Sequence, residues 1–181
     1  MSGFSGFLVG LAAVLLFWGI GAYNRIMRLR NKIGDAYAQL DQHLTNRAKL
    51  VARLMELLLP ELVTELAAFD ALHAAQTDCD TAAAAVRARP AVADPVAQLA
   101  IAVAVHAAAL TRLLALLDQH PELRARDDIQ PLLDELRAIE QQRSFARQLF
   151  NEAVRVYNEA TNQFPTRILA GIYGFKEARS L

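Results

Sequence analysis

Histidines and a single cysteine are the residues of this chain best suited to chemistry, and their spacing argues against it. His43 and His106 fall on apolar stripes, where a helical bundle could present them to a metal ion. Di-metal bundles take Glu-x-x-His pairs from facing helices. No Glu here is followed three residues later by His, and the nearest arrangement, Asp70-x-x-His73, occurs once. HExxH is absent. Cys79 is the only cysteine, which excludes an intramolecular disulfide and any CxxC zinc module. It lies in a polar stretch with only His73 near it, and no Ser-His-Asp set can be assembled. No glycine occurs between Gly34 and Gly171, so neither Gly-rich phosphate loop is available. Gly171-Ile172-Tyr173-Gly174-Phe175 is too short and wrongly spaced for one. The chain therefore reads as non-enzymatic, with no cofactor, metal or small-molecule substrate.

Four charged residues invite more attention. Asp41, Arg47, Glu140 and Arg143 sit on or beside apolar stripes. A buried charge costs several kcal/mol unless it is paired. The pattern points to inter-helix ion pairs that fix register, as a polar seam residue does in a coiled coil, in preference to a cluster that binds a ligand or switches the bundle.

The elements that position these residues begin with an apolar segment. Met1 to Asn24 carries no charged side chain, and Phe7 to Ile20 is apolar but for its glycines. Phe4 to Tyr23 is 20 residues, about 30 Å as a helix, which matches a bilayer core. Trp18 and Tyr23 stand where an interfacial aromatic belt would lie. Nothing basic precedes Phe4 and no clear A-x-A follows Ile20, so the segment reads as a retained anchor, not a cleaved signal peptide. Arg25, Arg28, Arg30 and Lys32 follow directly as a basic collar. The positive-inside rule then places the body in the cytoplasm, the periplasm being the alternative. The collar also suits anionic headgroups. Gly6 and Gly10 form a GxxxG pair that would let two spans pack closely, although glycine is common in such helices anyway.

Beyond Ile26 the apolar residues step by three and four. Ile26, Leu29, Ile33, Ala36, Leu40, His43, Arg47, Leu50, Leu54 and Leu57 form one seam. Pro60 either kinks this helix or ends it; unbroken, residues 25–87 would extend about 95 Å. The spacing continues through Leu62, Leu66, Phe69 and His73. Pro90 and Pro95 mark a turn. A second helix is predicted from Val96 to Gln119, on the stripe Val96, Leu99, Val103, His106, Leu110, Leu113 and Leu117. A third is predicted from Ile129 to Thr161, with Leu136, Ile139, Arg143, Phe150 and Tyr157 in register. Residues 164–181 form a tail whose Ile168, Leu169, Ile172, Tyr173 and Phe175 alternate with Arg167, Lys176 and Arg179. That tail either caps the bundle or lies in the membrane interface, and capping is the preferred reading.

Composition agrees with helices. Ala and Leu supply 62 of 181 residues, and 14 alanines fall within residues 82–109. The net charge is zero, which gives no general case for nucleic-acid binding. It conceals a net +5 over residues 25–53 and −6 over residues 54–86. Alanine seams bury little area, so self-association is expected to add burial.

The longer motifs resemble a known family. They include Tyr23-Asn24, Leu29-Arg30-Asn31, Ala36-Tyr37-Ala38-Gln39-Leu40-Asp41-Gln42-His43-Leu44 and Arg47. Later come Ala146-Arg147-Gln148-Leu149-Phe150-Asn151-Glu152-Ala153-Val154, Tyr157-Asn158, Phe164-Pro165 and Ala170-Gly171-Ile172-Tyr173-Gly174-Phe175. Together they resemble the LemA family of bacterial inner-membrane proteins. The resemblance implies a helical body on one N-terminal span and implies no enzymatic activity. Residues 76–119 carry it least. Arg143 stands where relatives commonly have an apolar residue, and Lys49-Leu50-Val51-Ala52-Arg53-Leu54 lacks a proline common in relatives, which favours a straight first helix.

The expectation is an all-α chain: a transmembrane anchor over residues 1–24, an elongated antiparallel bundle of long helices over 25–163, and an amphipathic tail over 164–181. The expected role is a membrane-anchored scaffold or organiser that self-associates on the lipid bilayer. An adaptor presenting a helical surface to another membrane protein, such as a protease or secretion component, is the alternative.

Overall fold

In the computed structural model, residues 2–181 are described, with side chains from Gly6 onward. Phe4, at the start of the expected span, therefore has its side chain outside the described residues. Helix α1 runs unbroken over Ser2–Leu58, about 85 Å at 1.5 Å per residue. Pro60 ends it. Proline lacks the N–H that would continue the helical ladder and clashes with the carbonyl four residues back. The chain turns there, with the Leu62 N–H donating to the Leu58 carbonyl at 3.0 Å. A short 3-10 turn, Val63–Glu65, leads into α2, Leu66–Ala88.

The Pro90–Pro95 segment reverses the chain into α3, Ala93–Asp118. A four-residue helix, α4 (Pro121–Arg124), makes the next corner, and α5 spans Gln130–Asn162. Both α4 and α5 carry a proline in the first turn, where its missing N–H costs nothing. The last helix is α6, Thr166–Ile172. No strand occurs among the described residues.

Four long segments thus pack antiparallel: residues 26–58 of α1 beside α5, and α2 beside α3. Apolar stripes of this length can be buried only against one another. The core falls into two clusters. One contains Ile26, Ile33, Tyr37, Leu99, Phe150 and Tyr157. The other contains Leu54, Leu58, Phe69, Leu72, Leu113 and Ile129. α3 is apolar and long enough to cross a membrane by length and composition alone. Its burial of Val96, Leu99, Leu110, Leu113 and Leu117 makes it a core helix of the bundle instead.

Residues 6–21 of α1 differ from the rest. Phe7, Val9, Val14, Leu16 and Phe17 are each more than 60% exposed, and burial starts only at Ile26. α1 therefore projects an apolar rod beyond the bundle.

Candidate functional site

The two core clusters are separated by a polar layer at mid-height. α1 brings Arg47 into it, α3 brings His106, and α5 brings Glu140 and Arg143. Arg47 is 4% exposed and His106 fully buried. The Arg47 Nε lies 2.5 Å from Glu140 Oε1 as an ion pair that is not aligned as a hydrogen bond. Arg143 donates from Nε at 3.0 Å and from Nη2 at 2.8 Å to Glu140 Oε2, one helical turn away on α5. One carboxylate thus bridges two guanidiniums, and the layer keeps a net positive charge.

Burial holds the Arg47 guanidinium below its ordinary range, against the pull of Glu140. Burial, with Arg47 second, pushes the His106 imidazole down to about 4. His106 is therefore neutral, and neither ring nitrogen has a hydrogen-bond partner within the protein. Cys79 of α2 is buried beside this layer, and its thiol is pushed up to about 11 by burial. A thiol held protonated is a poor nucleophile. No group of three or more His, Cys, Asp or Glu side chains that could hold a metal ion occurs among the described residues.

Next to the layer, α3 and α5 leave a groove of about 610 Å³, lined by Arg47, Leu110, Leu136, Arg137 and Glu140 among others. It offers apolar walls and charges of both signs, with no nucleophile and base in contact.

Asp41 does not join Arg47, Glu140 and Arg143. It accepts two hydrogen bonds of 2.8 Å from Arg87 of α2, at Nε and Nη2. Arg87 is more than half exposed, so this pair clasps α1 to α2 at the surface. Arg25, Arg28, Arg30 and Lys32 are all exposed. The fold returns Arg89 to the same end, where it shares a surface hollow with Arg30 and Asn31. The linear count of charge along α1 missed this addition, which depends on the α2–α3 reversal. Gly6 and Gly10 face open space, with nothing within 4 Å of where a Cβ would stand.

The tail divides into two parts. α6 lies against the apolar end of α1, with the rings of Tyr173 and Phe175 packed at a tilt against that of Tyr23, centroids 5.0 and 5.8 Å apart. Residues beyond Gly174, the one positive-φ position among the described residues (φ 69°), turn back along α5. Asn158 donates from Nδ2 to the Ala178 carbonyl at 2.8 Å and accepts from the Ala178 N–H at 2.9 Å. Asn151, two helical turns on, makes the same pair of bonds to Leu181 at 2.8 Å each. The Tyr157 hydroxyl donates to the Lys176 carbonyl at 3.1 Å. These asparagines read backbone, so their role was invisible in a search for charged or metal-binding types.

A search of curated proteins finds no match. The family model described as LemA family matches residues 36–181. The match runs through the alanine-rich segment and the tail, and it includes Arg47, the two asparagines and the polar residues of α5. The chain belongs to the LemA family.

Proposed function

We propose that the protein is a non-enzymatic, single-pass scaffold or organiser of the bacterial inner membrane that associates with copies of itself. One observation carries the reading: α1 continues without a break from exposed apolar side chains at Phe7–Ile20 into the bundle core at Ile26 and Ile33. A span joined to a body through continuous helix holds that body as a rigid post, with no hinge between them. The collar of Arg25, Arg28, Arg30 and Lys32 supports a cytoplasmic body. Exposed apolar pairs one turn apart, Ile101 and Val105 on α3 and Phe145 and Leu149 on α5, support association between posts. Gly6 and Gly10 offer a second contact between spans.

The adaptor reading rests on the same exposed apolar pairs, which a helix of another membrane protein would cover equally well. Removing residues 1–24 tests the anchor: the truncated chain is expected in the soluble fraction, and its retention on washed membranes would count against the span. A reporter enzyme fused after Leu181 is expected to be active in the cytoplasm; activity only in the periplasm would reverse the orientation.

A further inference from the structure

α6 meets α1 at two points. Leu169 Cδ1 lies 3.9 Å from the place a Cβ would take at Gly19, and the Tyr173 ring lies 5.0 Å from that of Tyr23. Both contacts are four residues apart on each helix, so α6 and α1 run side by side in the same direction. Gly19 lies about 6 Å of helical rise on the apolar side of Tyr23. Leu169 thus sits below the level of Tyr23, and the start of α6 lies deeper still. Three apolar side chains face outward there: Phe164 is 77%, Ile168 56% and Ile172 72% exposed.

We propose that Phe164, Ile168 and Ile172 form a wedge that enters the headgroup–acyl boundary of the leaflet next to the body. This rests on the reading of residues 1–24 as a membrane span. The bilayer is the occupant because the contacts with Gly19 and Tyr23 fix the wedge at the depth where a span meets its interface. Part of the backbone there is satisfied internally. The N–H groups of Gln163, Arg167 and Ile168 donate to the carbonyls of Glu159, Gln163 and Pro165, and Pro165 has no N–H to satisfy. Arg167 has a stem long enough to return its guanidinium to the headgroups. Lys176 follows on the polar side, near Arg30. A lone span can rotate about its own axis. A second insertion beside it sets the azimuth and tilt of the post, and so decides which faces of α3 and α5 point toward neighbours.

The test uses the full chain in phosphatidylcholine–phosphatidylglycerol vesicles. Phe164→Trp and Ile168→Trp are each made in a Trp18→Phe background, with Gln142→Trp on the exposed side of α5 as the aqueous control. The expected result is loss of fluorescence at 164 and 168 with shallow doxyl-labelled lipid, protection from aqueous iodide, and the reverse at 142. Quenching at 164 and 168 by iodide but not by doxyl lipid overturns the wedge. Shielding from both quenchers also overturns it, since a second copy would then cover the patch. Trp18 of the unsubstituted chain separates the two levels of the account: its quenching by doxyl lipid upholds the span whatever the wedge does, and its failure to quench removes both.

Discussion

Arg47 on α1 and Glu140 on α5 meet at 2.5 Å across the bundle, at the height where its two apolar clusters part. The pair joins the two helices that run alongside each other over the greatest length. Sliding one past the other by a single turn would leave Arg47 beside Leu136 in one direction and beside the like charge of Arg143 in the other. The pair therefore fixes register more than it adds stability, since desolvation offsets much of its attraction.

Breaking and replacing the pair should consequently differ. Glu140→Ala strands a buried guanidinium and is expected to cost about 3 kcal/mol, the low end for a broken buried pair because Glu140 is about a third exposed. Arg47→Met, Glu140→Leu and Arg143→Leu together should come within about 1 kcal/mol of the original, since Arg143 shares the same carboxylate. Urea unfolding followed by circular dichroism measures both. A single variant as stable as the parent would remove the register role.

Surface charge should matter far less. Arg87→Ala is expected to cost under about 1 kcal/mol, because Arg87 is mostly exposed although its bonds to Asp41 are well formed. The same unfolding series gives the comparison.

His106 makes the bundle sensitive to acid. Arg47, Arg143 and Glu140 face it, and burial outweighs the favourable carboxylate. The unfolded chain takes up this proton near the ordinary value of 6.5, the folded protein only near about 4. The unfolded state thus binds more protons between those values. The contribution of His106 to stability is complete above about pH 6.5, falls as pH drops toward 4, and changes no further below that. The loss is on the order of 3 kcal/mol. His106→Leu should flatten this part of the profile and be more stable than the parent at pH 5. An unchanged slope would place the acid sensitivity elsewhere.

The two asparagines should control the tail separately from the bundle. Asn158→Ala removes both bonds to Ala178, worth about 1 kcal/mol each. Hydrogen exchange is expected to quicken over residues 175–181, with exchange in α1 and α5 unchanged. Equal loss of protection throughout would show that the tail and bundle open together.

Cys79 reports bundle opening without any added probe. Its buried, protonated thiol should react with a maleimide at pH 8 only as fast as α2 parts from α1. Glu140→Ala alone, which strands Arg47 and Arg143, should speed labelling. Rapid labelling of the native protein would place the thiol at the surface.

Much of this architecture was legible in the sequence, and the misses have physical causes. On α3 the whole stripe from Val96 to Leu117 faces the core, because valines and leucines stand out against alanine there. On α1 the seam was right at Ile26, Ile33, Leu40, Arg47 and Leu54. It drifted at its far end, where Val51 and Leu58 are buried in place of Leu50 and Leu57. A straight helix with 3.6 residues per turn falls about 20° behind a heptad in each repeat, so four repeats move the core face by nearly one position. Beyond Pro60, Leu62 and Phe69 are buried as the spacing had them, but Leu66 and His73 are exposed, while Ala68, Leu72, Ala75, Cys79 and Val86 are buried. The turn at Pro60 resets the helical phase, so a seam carried through it holds at only some of its positions. Cys79 was hidden for a related reason: small residues and aspartates surround it in sequence, and only the three-dimensional stripe shows which face is inward. The polar layer was half legible. Arg47, Glu140 and Arg143 were grouped by their seam positions, but Asp41 was drawn away by Arg87, a partner on a helix whose phase the sequence did not set. The tail needed the fold most, because its apolar residues serve two surfaces that only the return of α5 brings together.

Self-association of anchored posts is the central claim, and the mass of the intact protein measures it most directly. The full chain is extracted in a mild detergent and weighed by light scattering with correction for bound detergent, with its co-purifying proteins identified. A homogeneous assembly of several copies of this chain is the predicted result. A monomer recovered with one stoichiometric partner would contradict the scaffold and support the adaptor.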